Sequence, residues 1–142
     1  MFKGQCFFAG DVPNSQFPHF IVLISDKDPQ NRILLIPLSS IKFSSTANYE
    51  YKGKPCKYYD DACVFEEEDI FDQKGKPVLT KPSFARYEWA EEIQINEVWN
   101  KKLSGIYKYK TKLSPEQLKR IQDGAKKSKE LKPYFKKFFD YF

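Results

Sequence analysis

The chain has 142 residues, of which 41% are hydrophobic and 17% aromatic, and its formal net charge is +5. This length suits one domain with a single core, and the aromatic content excludes a wholly disordered chain. The positive balance favours a polyanionic partner such as nucleic acid. The sequence contains neither a signal-peptide pattern nor an apolar run long enough to span a bilayer, so we expect a cytoplasmic protein with no membrane partner.

The number and spacing of the cysteines and the single histidine predict neither a disulfide framework nor a structural metal site. Cys6, Cys56 and Cys63 are too few and too scattered for such a framework. His19 is far from all of them in sequence, so a zinc site is not predicted. We expect neither a metal nor another cofactor.

The first hundred residues predict a β-structure. Residues 5–9 form a short apolar run, and residues 20–25 and 32–38 are continuous aliphatic runs of the kind buried on both faces. The polar residues 26–31 between the last two runs indicate a hairpin turn.

Beyond residue 40 the pattern is less regular. The polar stretch from residue 42 to about 59 predicts a long connection, which in a small domain is usually a functional or mobile loop. Residues 61–65 predict a fourth strand, and residues 77–79 and 83–90 predict further extended segments.

The end of the chain predicts helices. Ser114 can cap the first free amides of a helix, Pro115 suits the first helical position, and Gln117 completes a capping box. The helix should run to about Ser128. Residues 134–139 then form a short aromatic amphipathic segment, which suggests core packing or a docking face for a partner. We therefore expect one domain over residues 1–142, with a β-core at about 1–100 and a helical tail at about 113–140.

Charge is distributed unevenly along the chain. The segment from Phe65 to Asp72 contains five acids and no base, whereas bases far outnumber acids from Lys101 onwards. The basic last third is the first place to look for contacts with a nucleic-acid backbone, although a solvated helix face would have the same composition.

Polar side chains lie where the second predicted strand begins and where the third ends. His19 precedes the second strand, and Ser39 and Ser40 follow the third. Because consecutive strands joined by a hairpin are antiparallel, these two ends should lie at the same edge of the sheet. That arrangement would bring a group that transfers protons near neutral pH close to two hydroxyls.

Together these side chains could cleave RNA without a metal. That reaction requires a base, an acid and hydrogen-bond donors to the phosphate. His19 could transfer the proton, Ser39 and Ser40 could donate to the phosphate, and Asp61 could orient the imidazole or act as base. Lys81 and Arg86 could hold phosphate oxygens. Each residue also has an ordinary structural explanation, since serines at strand ends often form turns and an arginine between aromatic residues often stacks.

Three segments of the chain occur in the order of a known family: Lys3-Gly4-x-x-Phe7, residues 19–25, and residues 34–40. Together they resemble the PemK/MazF-like toxins, small SH3-like β-barrels that act as sequence-specific, metal-independent endoribonucleases. Residues 61–65 and 75–87, which end in a Ser-x-x-x-Tyr motif, are similar to a subgroup of that family. The resemblance implies a mainly β fold with C-terminal helices.

The resemblance also implies roles for individual residues. His19 falls where many family members have an arginine and would handle proton transfer or contact phosphate. Ser39 would orient the scissile phosphate. Lys76 stands where the subgroup tends to have a histidine and would contact phosphate, while Ser83 would help to hold RNA. The implied partners are single-stranded RNA, a cognate antitoxin with an acidic segment, and possibly a second copy of the chain.

Two alternatives from other classes remain open. A non-catalytic nucleic-acid-binding barrel would tolerate loss of His19 but not of its lysines and arginines. A protein-interaction module would use the aromatic tail and the acidic run to hold another protein.

Overall fold

The computed structural model describes residues 2–12, 19–57 and 63–142. These ranges contain ten strands, two α-helices and two 3₁₀ helices, so the described chain is mainly β with added helices, as predicted. The strands are β1 (Gln5–Ala9), β2 (His19–Leu23), β3 (Arg32–Ser40), β4 (Lys42–Phe43), β5 (Tyr49–Tyr51), β6 (Lys54–Lys57), β7 (Val64–Phe65), β8 (Ser83–Ala85), β9 (Glu91–Gln94) and β10 (Tyr107–Lys112). The helices are α1 (Ile95–Leu103), α2 (Pro115–Lys127) and the 3₁₀ helices Tyr87–Trp89 and Pro133–Tyr141.

Seven of the described strands form one antiparallel sheet in the order β10-β1-β2-β3-β8-β7, and β9 also pairs with β3. Among the described residues no pairing joins β10 to β7, so this sheet has two open ends. The predicted strands at 5–9, 20–25 and 32–38 are confirmed, with shifted ends for the second and third. Of the predicted strand 61–65, residues 63–65 are described, and Val64–Phe65 form a strand.

The central strands β2 and β3 are buried on both faces, which explains why their sequences are continuously apolar rather than alternating. One face packs with α2 and the C-terminal 3₁₀ helix in a first core, and the other packs with α1 in a second core. Successive residues belong to different cores: Phe20 and Val22 lie in the first, and Ile21 and Leu23 in the second.

The β2–β3 turn is built around the carboxylate of Asp28. Its Oδ1 accepts hydrogen bonds from the amides of Gln30 and Arg32, each at 2.9 Å. Asn31 adopts a φ of 61°, a left-handed conformation that asparagine tolerates better than most residues. This turn fixes the register in which β2 and β3 pair.

The predicted loop at 42–59 is wrong for most of its length. Residues 42–57 instead contain a second, three-stranded sheet in the order β4-β6-β5. Cys56 of β6 is fully buried and packs with Ile41 and Phe84, so this small sheet is attached to the main sheet by its own apolar cluster. The strands are short and polar, so periodicity in the sequence does not distinguish them from a loop.

The extended segment predicted at 83–90 is interrupted. It contains β8 and the 3₁₀ helix Tyr87–Trp89, and β9 begins directly after it at Glu91. β8 pairs with the last residues of β3 and β9 with its first residues, so the chain bends between them. This bend occupies residues 86–90.

Between residues 95 and 112 the sequence analysis missed two elements, α1 and β10. The strand β10 pairs with β1, so the sheet extends beyond residue 100. Its sequence, Tyr-Lys-Tyr-Lys-Thr-Lys, lies at an open end of the sheet where most of its side chains are exposed, and it therefore lacks the apolar content of a central strand.

The capping box of α2 is confirmed. The Ser114 hydroxyl accepts from the Gln117 amide at 3.2 Å, and the Gln117 side chain accepts from the Ser114 amide at 3.0 Å. In the tail that follows, Phe135 and Phe138 are buried in the first core. These two rings therefore pack internally and do not form a docking face. Among the described helices, none is both long and apolar enough to cross a bilayer.

The helix α2 touches the bend through a close contact between Tyr87 and Gly124. The Tyr87 hydroxyl donates to the carbonyl oxygen of Ile121 at 2.8 Å. A Cβ atom at position 124 would lie 2.1 Å from Tyr87 Oη and 3.0 Å from its Cζ. Glycine is therefore required in the middle of this helix despite its low helix propensity.

We expect Gly124→Ala to destabilise the protein by about 1–3 kcal/mol, because the overlap with Tyr87 outweighs the gain of about 1 kcal/mol that alanine gives in an open helix. In a Tyr87→Phe background the oxygen is absent, so the penalty of Gly124→Ala should fall. Urea unfolding of the four proteins in this double-mutant cycle measures both effects. Lys127→Ala, at an exposed position of α2, is the control and should change the free energy of unfolding by less than about 0.5 kcal/mol. A stabilising Gly124→Ala would contradict the contact.

Candidate active site

The start of β2 and the end of β3 lie at one edge of the main sheet, as the sequence analysis expected. Phe20 pairs with Leu38, so His19 and Ser39 are each one residue beyond this pair, toward the same edge. On the far side of β3, Ser39 pairs with Phe84, and on the far side of β2, His19 pairs with Ala9.

His19 and Ser39 also share a face of the sheet. Side chains alternate between faces along a strand, and Ile21 and Leu35 point into the second core. Because His19 is two residues before Ile21, and Ser39 is an even number of residues after Leu35, both side chains point to the second-core side. His19 confirms this by its contact with Trp89, which packs against that core.

Trp89 joins the histidine to the arginine. Its ring meets the imidazole of His19 edge to face, with centroids 5.6 Å apart and an interplanar angle of 75°. The guanidinium carbon of Arg86 lies 3.8 Å from the Trp89 ring centroid, which is a close cation–π contact. We call His19, Ser39, Arg86 and Trp89 the strand-end cluster.

The backbone and a carboxylate fix the position of Arg86. Its amide donates to the Pro37 carbonyl oxygen at 2.8 Å, which ties the bend to β3. Its Nε donates to the carboxylate of Glu88, a partly exposed ion pair. The guanidinium carbon is also 6.0 Å from the ring centroid of Phe84, the residue paired with Ser39. Arg86 thus lies on the same face as the two strand ends.

Ser39 is unusual among the buried serines. Its side chain is 6% exposed, and its Oγ has no hydrogen-bond partner among the described residues. In contrast, buried Ser25 accepts from the Leu34 amide at 2.9 Å, and buried Ser83 donates to the Lys81 carbonyl oxygen at 3.0 Å. A buried hydroxyl without a partner costs about 1–3 kcal/mol, so no hydrogen bond within the described residues explains the burial of this one.

The other predicted residues divide into two groups. Ser40 pairs with Ser83 one residue after Ser39, so both side chains point to the opposite face of the sheet from the cluster, and exposed Lys81 precedes β8. Lys76 instead belongs to a separate turn, where its amide donates to Asp72 at 2.9 Å and its side chain is exposed. Asp61 lies outside the described residues.

Trp89 and Glu91 were missed by sequence reasoning. A tryptophan within a loosely alternating segment gives no sign of which side chains it will contact.

Glu91 is part-buried, and burial raises the pKa of its carboxyl above its ordinary value. Lys101 partly offsets this effect. Lys101 itself lies 2.6 Å from an Asp11 carboxylate oxygen. These three residues form a charged group separate from the strand-end cluster.

The thiols do not provide a nucleophile among the described residues. Cys6 and Cys56 are buried, and burial raises the pKa of the Cys63 thiol to about 11, so little thiolate forms at neutral pH. Within the described ranges, no group of three or more His, Cys, Asp or Glu side chains is placed to hold a metal ion.

Comparisons with protein-family models, curated proteins and solved structures found no match to this chain.

We expect Ser39→Ala to leave the free energy of unfolding unchanged or to raise it by up to about 1 kcal/mol, because the substitution removes a buried hydroxyl that lacks a partner. Ser25→Ala is the matched control and should cost about 1–3 kcal/mol, because it leaves the Leu34 amide without an acceptor. Urea unfolding of both variants measures the difference. Equal destabilisation by the two substitutions would show that the Ser39 hydroxyl has a structural bond.

Proposed function

We propose that the chain is a metal-independent endoribonuclease of the toxin–antitoxin type, which cleaves single-stranded RNA at the strand-end cluster. The observation that carries the proposal is the buried Ser39 hydroxyl, whose Oγ lacks a partner among the described residues and which shares a sheet face with His19 and Arg86. A proton-transfer group, a hydrogen-bond donor and a cation are the groups that RNA transesterification requires.

The proposed reaction uses the RNA's own 2′-hydroxyl as nucleophile. A base removes the 2′-OH proton, the 2′-oxygen forms a bond to the adjacent phosphorus, and the bond from phosphorus to the 5′-oxygen breaks. An acid gives a proton to the departing 5′-oxygen, leaving a 2′,3′-cyclic phosphate and a 5′-hydroxyl. His19 performs one of these proton transfers, because an imidazole exchanges protons near neutral pH. Asp61 is our candidate for the second.

The phosphate would be held from two sides. The Ser39 hydroxyl donates to a non-bridging oxygen, and the Arg86 guanidinium pairs with the negative charge, which increases in the transition state. Trp89 keeps the guanidinium plane in position through the 3.8 Å contact. Ser40, Lys81 and Ser83, at the same end of β3 and β8 as the cluster, and Lys76, in its own turn, would contact the flanking backbone.

The finer fold and the partners belong to the same proposal. We assign the main and small sheets to an SH3-like arrangement of the PemK/MazF kind, on the strength of the sequence resemblance and of the antiparallel strand order. A cognate antitoxin with an acidic segment would cover the cluster, and the chain could act as a homodimer in the cytoplasm. The net charge of +5 suits both an acidic protein and RNA.

A second candidate function is RNA binding without cleavage. The ion pair between Arg86 and Glu88 favours it, because a carboxylate beside the guanidinium weakens the stabilisation of the negative charge that increases in the transition state of cleavage. In that case the same edge would retain RNA through its cations and rings, and His19 would be dispensable.

The test is cleavage of a long single-stranded RNA in the presence of EDTA. We expect discrete cuts by the wild-type protein, with 2′,3′-cyclic phosphate and 5′-hydroxyl ends identified by end-specific labelling. His19→Ala and Ser39→Ala should each lower the cleavage rate by about 100-fold or more. Ser104→Ala, an exposed serine in the turn after α1, is the control and should cleave like the wild type.

Three results would contradict the proposed active site or the proposed activity. Cleavage that persists in Ser39→Ala and His19→Ala would place the chemistry elsewhere or in a contaminant. Salt-sensitive RNA retention without cleavage would establish the binding function instead. Neither cleavage nor retention would remove RNA as the ligand and leave a protein-interaction role.

A further inference from the structure

The small sheet carries two exposed aromatic rings on one face. Phe43 of β4 and Tyr49 of β5 both pair with Cys56 of the central strand β6. Directly paired residues of antiparallel strands point to the same face, so both rings flank Cys56 on its side of the sheet. Phe43 is 53% exposed and Tyr49 44% exposed. Two strand spacings separate them, which is about 9.5 Å.

The small sheet is attached to the main sheet next to the strand-end cluster. Cys56 and Phe84 belong to one buried apolar cluster, and the Phe84 ring centroid is 6.0 Å from the guanidinium carbon of Arg86. The two exposed rings therefore belong to a sheet that is anchored beside Arg86.

The charge of the small sheet matches a polyanion. Residues 42–57 contain four lysines and one acid, Glu50. The Lys54 ammonium lies 5.8 Å from the Phe43 ring centroid, whereas the Lys52 ammonium, 5.4 Å from the Tyr51 ring centroid, forms an ion pair with Glu66 at 3.1 Å. Exposed rings with adjacent cations are the pattern by which proteins bind single strands, since each base can stack on a ring while the phosphates meet the lysines.

We propose that the β4-β6-β5 sheet is a base-stacking surface for the nucleotides that flank the scissile phosphate, with Phe43 and Tyr49 as stacking platforms and Lys54 as a phosphate contact. This inference rests on the proposed RNA function and deepens it, because it assigns substrate binding to a segment that the sequence predicted only as a loop. Stacking depends little on base identity, so this surface contributes affinity rather than sequence preference.

Binding is tested with a fluorescent 2′-O-methyl RNA 20-mer of mixed sequence, which has no free 2′-hydroxyl and cannot be cut. We expect Phe43→Ala and Tyr49→Ala each to raise Kd by about fivefold or more. The matched control is Phe71→Ala, since Phe71 is 45% exposed but lies in the acidic segment, and its Kd should equal that of the wild type.

The lysine is tested through salt dependence. Each phosphate contact in a single strand contributes about 0.7 to the slope of log K against log salt concentration. Lys54→Gln should lower the slope by about that amount, whereas Lys74→Gln, an exposed lysine of the 72–76 turn, should leave it unchanged.

The two proposals can fail separately. If the wild type binds the 20-mer and cleaves RNA but Phe43→Ala and Tyr49→Ala match it in Kd, the stacking surface is wrong and the enzyme stands. If these variants instead lose self-association in sedimentation while binding RNA normally, the face is an interface between two copies of the chain, and the stacking surface is overturned. If the wild type binds no RNA, both proposals fall.

Discussion

The bend at residues 86–90 is the constraint on which the candidate site depends. β3 pairs with β2 along one of its sides. Along its other side, β3 pairs with both β8 and β9, which the bend connects. Within the bend, Tyr87 points into the first core and bonds to α2, while Trp89 packs against the second core. Since both sides of the bend are anchored, Arg86 has little freedom and remains over the end of β3. The contact with Gly124 is therefore a condition for the geometry of the cluster as well as for the packing of α2.

Sequence alone predicted the parts of the fold in which one physical cause dominates. The continuous apolar runs at β2 and β3 follow from burial on both faces, and the start of α2 follows from the local chemistry of Ser114 and Gln117. The small sheet and β10 were missed because their strands are polar and hold their places by long-range pairing with other strands. In β10, for example, alternating tyrosine and lysine has neither the apolar period of a central strand nor turn residues.

The candidate site was predictable only where strand topology determined it. Antiparallel pairing was enough to place His19 and Ser39 at the same edge. Nothing in the sequence indicated that Trp89 would contact both His19 and Arg86, because that contact requires the bend. Lys76 shows the opposite case, since a family pattern suggested a place near the phosphate and the structure puts its backbone in a turn held by Asp72.

The proposed function can be judged by how the energetics of this edge would change when a phosphate binds. The Ser39 hydroxyl is desolvated and lacks a partner among the described residues, so an incoming oxygen acceptor recovers part of a cost of about 1–3 kcal/mol. The Arg86 guanidinium forms an ion pair with Glu88, so in the proposed function a phosphate would compete with that carboxylate for it. Trp89 holds the guanidinium in either case, which limits the entropy lost when an anion binds. In the proposed complex a phosphate would give the Ser39 hydroxyl an acceptor and the guanidinium a second anion, whereas an apolar ligand would leave the hydroxyl unpaired. This difference is the physical reason for choosing an anionic ligand over an apolar one at this edge.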